Sequence, residues 1–272
     1  MTITAGIDIG STYSKAALIN ERGEIIATAI RNTGFRLTEV ARQIYAECLE
    51  KAGQKEDACK YVIATGIGRH RVEFKDLAVT DLTAAARGAH HFFPGTRAVI
   101  DIGGQTMKAS RIDEKAKVIS FRLNDKCAAG TGAFLEKTAR YMGFGTEEIG
   151  RLMTTSLKSV PISGVCAVFA ESEVINHLSL GTAPADIMQG AIESLTTRSV
   201  QLIKRIKAKP EYTLVGGILR FQTMPAAVRD SLGHEVNVPP DDMCQYASAI
   251  GAAILGHRRL DKLQDPRLPL SA

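Results

Sequence analysis

"IDIGSTYSKA", Ile7–Ala16, returns as "IDIGGQTMKA", Ile100–Ala109, with the Ile, Asp, Ile, Gly, Lys and Ala positions identical at a constant offset of 93. A repeat of that length implies two halves of similar design. In each copy an apolar run ends in Asp-x-Gly, a short turn follows, and a second run leaves: "SKAALIN" from Ser14, "MKASRID" from Met107. A third strand completes each meander, "EIIATAIRN" from Glu24 and "KVISFRLND" from Lys117, after the turn sequences "ERG" and "DEK". The pattern then becomes helical, with Val40, Ile44, Ala46 and Leu49 at helical spacing, and "KYVIATG" follows as a buried strand ending at Gly66. A carboxylate at a strand end is costly to bury unless it binds something. Asp8 and Asp101, one from each half, are therefore candidates to converge on one bound ion.

The rest of the chain limits the classes of function. Its 272 residues are 45% apolar and 23% charged, enough for one large or two small cores. The net charge of +5 is spread along the chain and aromatic residues are few, which argues against nucleic acid. No apolar run approaches the ~18 residues of a membrane span. "MTIT" runs straight into a strand without a basic leader, so the simplest expectation is a cytoplasmic protein with no membrane partner. Five cysteines at irregular spacing (Cys48, Cys59, Cys127, Cys166, Cys244) point to reduced thiols, not a disulfide scaffold.

The repeated hairpin resembles the phosphate loops of the sugar-kinase, Hsp70 and actin superfamily of ATPases. That resemblance implies an α/β fold of two ribonuclease-H-like domains with ATP and Mg²⁺ bound in the cleft between them. Carried over position by position, Asp8, Gly10, Ser11, Thr12 and Lys15 match the first phosphate loop, and Asp101, Gly103, Gly104 and Gln105 the second. Asp8, Asp101 and Gln105 are the expected catalytic positions. "TLVGGIL", with Gly216 and Gly217, matches the adenosine motif, where glycine permits close approach of the backbone to a nucleotide. No G-x-x-x-x-G-K-[ST] loop competes, and neither "GIGRHR" nor "GTGAFL" completes G-x-G-x-x-G. The expected domains are 1–96, with a C-terminal helix over 242–258 returning to it, and 97–241.

Two cysteines stand apart. Cys127 lies in "RLNDKCAAGTGAFLEK", Arg122–Lys137, near the start of a helix in which Phe134, Leu135, Thr138, Ala139 and Met142 share a face and Gly143 is the stop. A helix amino terminus favours negative charge and suits a thiolate. Cys166, in "PISGVCAVFAESEVI", again precedes a helical segment. By spacing alone both could be small buried hydrophobes. Two thiolates are too few for a zinc site or a four-iron cluster, but a two-fold dimer presents the same pair twice.

"NDKCAAGTGAFLE" followed by "CAVFAESEVI" closely resembles the activators of 2-hydroxyacyl-CoA dehydratases and the ATPase subunits of benzoyl-CoA reductase, over roughly Ile3 to Leu255. The resemblance implies a [4Fe-4S] cluster shared between two subunits and held by Cys127 and Cys166 of each. It implies an ATP-dependent oxidoreductase component that takes electrons from reduced ferredoxin and passes them to catalytic acyl-CoA reductase or dehydratase subunits. "GGILRF" and "DIGGQTMKAS" lean toward the benzoyl-CoA reductase branch, which implies a second, related ATPase chain; a dehydratase activator would be a homodimer. A small-molecule kinase is the more distant alternative.

Departures from the commonest pattern are Thr106 after "DIGGQ", Ile67 in "TGIGR", and Ala84–Ala85 before "ARGA" in place of a Cys-His pair. Glu171 and Glu173 read as helix positions supporting the cysteine loop or the domain interface more than as an acid–base pair. Cys48 reads as core, His90–His91 as a dipole-complementing helix end, and Asp241 or Asp242 as a helix cap.

Overall fold

The computed structural model describes residues 2–124, 131–163, 166–221 and 223–265. Its contacts divide the chain into two units, one of Met1–Arg97, Ile112–Ile119 and Asp242–Ala272, the other of Ala98–Arg111 and Ser120–Asp241.

In the first unit the strands are β1 (Ile3–Ile9), β2 (Tyr13–Asn20), β3 (Ile25–Asn32), β4 (Cys59–Thr65) and β5 (Leu77–Ala78). They form one sheet in the order β3-β2-β1-β4-β5, antiparallel through the meander and parallel from β1 to β5. Every residue of β1 is buried, because both faces of the sheet are covered. Ile3, Ala5, Ile7 and Ile9 point toward Val40, Ile44 and Cys48 of α1 (Leu37–Lys51). The alternate residues face α8 (Met243–Gln264): Thr4 Oγ1 donates to Ala253 O at 2.7 Å, and a Cβ on Gly6 would lie 1.9 Å from Ala249 O.

Helix α8 packs equally closely on α2 (Asp81–Phe92). A Cβ on Gly251 would lie 1.9 Å from Ala84 O, and one on Gly88 would lie 1.9 Å from Ala247 O. The obstacle in both cases is backbone, which cannot turn aside as a side chain can. Gly251→Ala is therefore expected to lower stability although alanine is the better helix former by about 1 kcal/mol. Overpacking of this kind costs about 1–3 kcal/mol, and a thermal melt checks it; an unchanged or raised Tm would contradict the backbone contact.

The second sheet repeats the plan. Its strands β6 (Ala98–Ile102), β7 (Met107–Ile112), β8 (Val118–Asn124), β9 (Tyr212–Val215) and β10 (Val236–Asn237) are ordered β10-β9-β6-β7-β8. Strand for strand this is the neighbour order of the first sheet, so the repeat seen in sequence is a repeat of topology. Here the connection from the third to the fourth strand carries, among the described residues, the α-helices α3 (Gly132–Tyr141), α4 (Ile149–Met153), α5 (Ala167–Ser179) and α6 (Pro184–Arg205). Helix α7 (Thr223–Leu232) joins β9 to β10. Phe134, Leu135, Thr138 and Ala139 of α3 are buried as their spacing predicts, and Gly143 stops the helix with φ +82.

Two expected helix ends differ in detail. Asp242 occupies the N-cap of α8 but makes no capping hydrogen bond, and Asp241 takes φ +50. His90 and His91 do stand in the last turn of α2, yet burial lowers both imidazole pKa values and favours the neutral form. A neutral ring adds little to the helix dipole; His90 is half-buried there, and His91 is exposed.

Candidate nucleotide hairpins and cysteine centre

The first hairpin is built by the β1/β2 register, which sets Asp8 opposite Lys15. The two side chains meet at 3.5 Å, and Asp8 is only 7% exposed. Gly10 opens the turn where a Cβ would lie 2.6 Å from Tyr13 O. Thr33 braces that turn: its hydroxyl donates to Gly10 O at 2.9 Å and lies 2.9 Å from Ser14 Oγ, while its N–H donates to Thr12 O. On the other side of β1, Thr65 of β4 pairs with Asp8 in the parallel register. Gly66 follows with φ +83, and a Cβ there would stand 2.5 Å from Asp8 Oδ1, so both its own backbone and the carboxylate require glycine. The hydroxyl oxygens of Thr12 and Thr65 are buried without a hydrogen-bond partner. Orphaned buried hydroxyls beside a buried carboxylate fit a site made for a polar ligand. Ser11 lies half-buried in the same turn.

The second hairpin copies the first. Asp101 stands opposite Lys108 at 3.6 Å, and Gly103 N donates to Thr106 O to close the turn. Gln105 is exposed at its tip. The parallel β6/β9 register sets Asp101 beside Val215, which delivers Gly216 and Gly217 to the same end of the sheet. Gly216 has φ +113, and a Cβ there would lie 2.2 Å from Ile102 O. Its glycine is thus demanded first by its own backbone and by β6, before any ligand. The turn also holds a helix: Gly132 N donates to Gly103 O at 3.0 Å and Ala133 N to Gly104 O at 2.7 Å. The first amides of α3, which a helix cannot satisfy internally, are spent on this turn.

Within each unit, then, the residues singled out in sequence lie together: Asp8, Gly10, Ser11, Thr12 and Lys15 in one, Asp101, Gly103, Gly104, Gln105, Gly216 and Gly217 in the other. Thr33 and Thr65 were missed. Thr65 sits in the "TGIGR" stretch and could have been found there; Thr33 carries no local signal, because its role arises from the β2/β3 pairing.

Of the paired cysteines, Cys127 lies outside the described residues. Cys166 is free, half-buried, and the N-cap of α5, with no side chain capping that helix. Its carbonyl accepts from Ala170 N at 2.9 Å, leaving the thiol uncommitted by the helix bond. A partly exposed thiol at an open helix amino terminus fits a thiolate ligand. Among the described residues no group of three or more His, Cys, Asp or Glu is placed to hold a metal within one chain. The other described cysteines differ: Cys48 is fully buried, and burial pushes its thiol up to about 12. Burial also raises Cys59, and Cys244 is buried. Cys166 is accordingly expected to be alkylated at least tenfold faster than Cys48 or Cys244 in folded, metal-free protein at pH 8, as peptide mass spectrometry would show. Equal rates would contradict the burial difference.

Glu171 and Glu173 are supports. Glu171 Oε2 accepts from Lys137 Nζ at 2.6 Å and Tyr141 Oη at 3.3 Å, tying α5 to α3 and raising the Lys137 pKa. Glu173 accepts from the backbone N–H of Ser163.

Paired hairpin-first sheets of identical order, each ending in a largely shielded Asp-Lys pair, define a two-unit α/β ATPase of the actin-like class. The chain belongs to the BadF/BadG/BcrA/BcrD ATPase family, whose pattern it matches over residues 5–256. It is 36% identical over 260 residues to the (R)-2-hydroxyglutaryl-CoA dehydratase activating ATPase of Acidaminococcus fermentans, covering 95% of this chain and 98% of that one. It is likewise 36% identical over 273 residues to a benzoyl-CoA reductase component of Thauera aromatica, covering 97% and 96%. The solved activator of the 2-hydroxyisocaproyl-CoA dehydratase from Clostridium difficile, with bound ADPNP, superposes with a TM-score of 0.90 at 34% identity over the whole of both chains. No helix among the described residues is long and apolar enough to cross a membrane.

Proposed function

We propose that the protein is the ATP-hydrolysing, electron-activating subunit of an acyl-CoA enzyme. The observation that carries this reading is the coexistence, in one chain of this family, of two largely shielded Asp-Lys hairpins with a free, half-buried thiol at an open helix terminus. Asp8 and Asp101 would hold Mg²⁺ and its water, Lys15 and the turn amides of Gly10–Thr12 and Gly104 would bind phosphate oxygens, Gln105 would orient the attacking water, and Gly216 and Gly217 would admit the adenosine. Thr12 and Thr65 supply the hydroxyls that the bound nucleotide and its ion would satisfy.

Cys166 and Cys127 of two subunits would hold a [4Fe-4S] cluster, which when bound accepts and passes on one electron at a time. Val168 and Phe169, 67% and 63% exposed in the first turn of α5, are suited to being covered by the second subunit. The turn that binds phosphate also anchors α3, so a change in the Gly103–Thr106 backbone on hydrolysis is passed to the helix that follows Cys127. Reduced ferredoxin is the proposed electron source, and catalytic acyl-CoA subunits the acceptor.

Within this class the first reading is a benzoyl-CoA reductase subunit, supported by "GGILRF" and "DIGGQTMKAS"; the second is a homodimeric dehydratase activator, supported by the equal 36% identity to a relative of that name. Iron analysis and native mass of anaerobically purified protein test both levels. Four irons per dimer are expected. A heteromer with a second ATPase chain selects the reductase branch, a homodimer the activator, and an iron-free protein at every stage of purification refutes the electron-activating reading.

A further inference from the structure

Residues 160–163, upstream of Cys166, are held at successive points. Ile162 is buried, and a Cβ on Gly190 of α6 would lie 2.0 Å from Val160 O, so α6 presses directly on the backbone at 160. Val160 N donates to Asp186 O at the start of the same helix. The next fixed point is the Ser163 amide, which donates to Glu173 Oε2 two turns into α5. Glu173 is half-buried and reaches back across the amino terminus of its own helix to the chain that enters it. A charge-assisted bond from a backbone N–H to a carboxylate is among the stronger hydrogen bonds a protein makes. Cys166 lies between the two partners of this bond, with Ser163 on one side and Glu173 on the other. In sequence, therefore, the bond ties a residue before the cysteine to the helix that follows it.

Resting on the electron-activating reading, we propose that Glu173 is a positioning residue for Cys166: its carboxylate fixes the chain at Ser163 so that the thiolate is presented in one orientation at the open end of α5. Glu171 does not share this task. Its partners Lys137 and Tyr141 belong to α3, so among the described residues its hydrogen bonds join the two helices. Two carboxylates two residues apart therefore serve different ends, which is why their spacing suggests an acid–base pair and their contacts do not.

The test compares E173A and E173Q. The glutamine side chain keeps a carbonyl oxygen that can accept from Ser163 N–H, whereas alanine removes the acceptor. In metal-free protein the alkylation rate of Cys166, followed by peptide mass spectrometry, is expected to change at least fivefold in E173A and to stay within twofold of wild type in E173Q. In iron-loaded protein the reduced fraction at a fixed dye potential, read by electron paramagnetic resonance, is expected to shift at least threefold in E173A alone. An unchanged Cys166 rate in E173A, or a rate in E173Q as altered as in E173A, overturns the proposal. Should E173A fail to fold, hydrogen exchange at the Ser163 amide in E173D replaces it: exchange at least tenfold faster supports the bond, and unchanged exchange overturns it. The alkylation comparison needs no metal, so an iron-free wild type would sink the proposed function while leaving this inference standing or falling on its own result.

Discussion

Cys166→Ser, purified without oxygen beside the wild type, is expected to be colourless and to carry less than a tenth of its iron, with electron transfer to any acyl-CoA partner lost by more than a hundredfold. A serine hydroxyl is not ionised near neutral pH and is a poor substitute for a soft thiolate. In a shared cluster the change removes one ligand from each subunit, half of the four. The one described backbone bond at position 166 runs from Ala170 N to the carbonyl and survives the substitution, and serine is itself a good N-cap. The helix should therefore persist, and ATP affinity should stay within about twofold. Iron analysis, visible spectra and nucleotide binding decide it together: a brown Cys166→Ser protein with full iron would refute the assignment of this cysteine.

Asp8→Asn is expected to give the opposite pattern, with the cluster retained and ATP hydrolysis reduced by about a hundredfold or more, roughly 2.7 kcal/mol of transition-state stabilisation. The amide has the shape of the carboxylate without its charge, so it still stands beside Lys15 but no longer attracts a divalent ion. Asp101→Asn should behave likewise through its matching pair with Lys108. Steady-state phosphate release, with circular dichroism to confirm folding, checks both; hydrolysis within threefold of wild type in Asp8→Asn would remove that residue from the catalytic set. The two substitutions thus separate the functions, one losing iron with nucleotide binding intact and the other losing hydrolysis with iron intact.

The architecture was legible because the local patterns were strong and repeated. β1 reads as a strand through Ile3, Ala5, Ile7 and Ile9, α1 through Val40, Ile44 and Leu49 on one face, and both hairpins through Asp-x-Gly turns whose register places a lysine opposite the aspartate. Cys48 was legible as core because it falls on the apolar side of α1. Asp242 was legible as the N-cap position of α8, but its lack of a side-chain capping bond was not, because such a bond depends on the side-chain rotamer and on neighbours that sequence spacing does not fix. Nor was the neutral tendency of His90 and His91, whose charge balance follows from burial by residues distant in the chain.

By itself the sequence determined the duplicated α/β plan, the two phosphate-loop-like hairpins and the pair of cysteines that mark the family, since each is carried by residues close together in the chain. Only the tertiary structure decided why Gly6, Gly88 and Gly251 must be glycine, that Thr65 stands beside Asp8, and that Glu171 and Glu173 do different work. Those depend on which backbone lies within a few ångströms across a sheet or a helix pair, a distance that packing sets and local sequence does not.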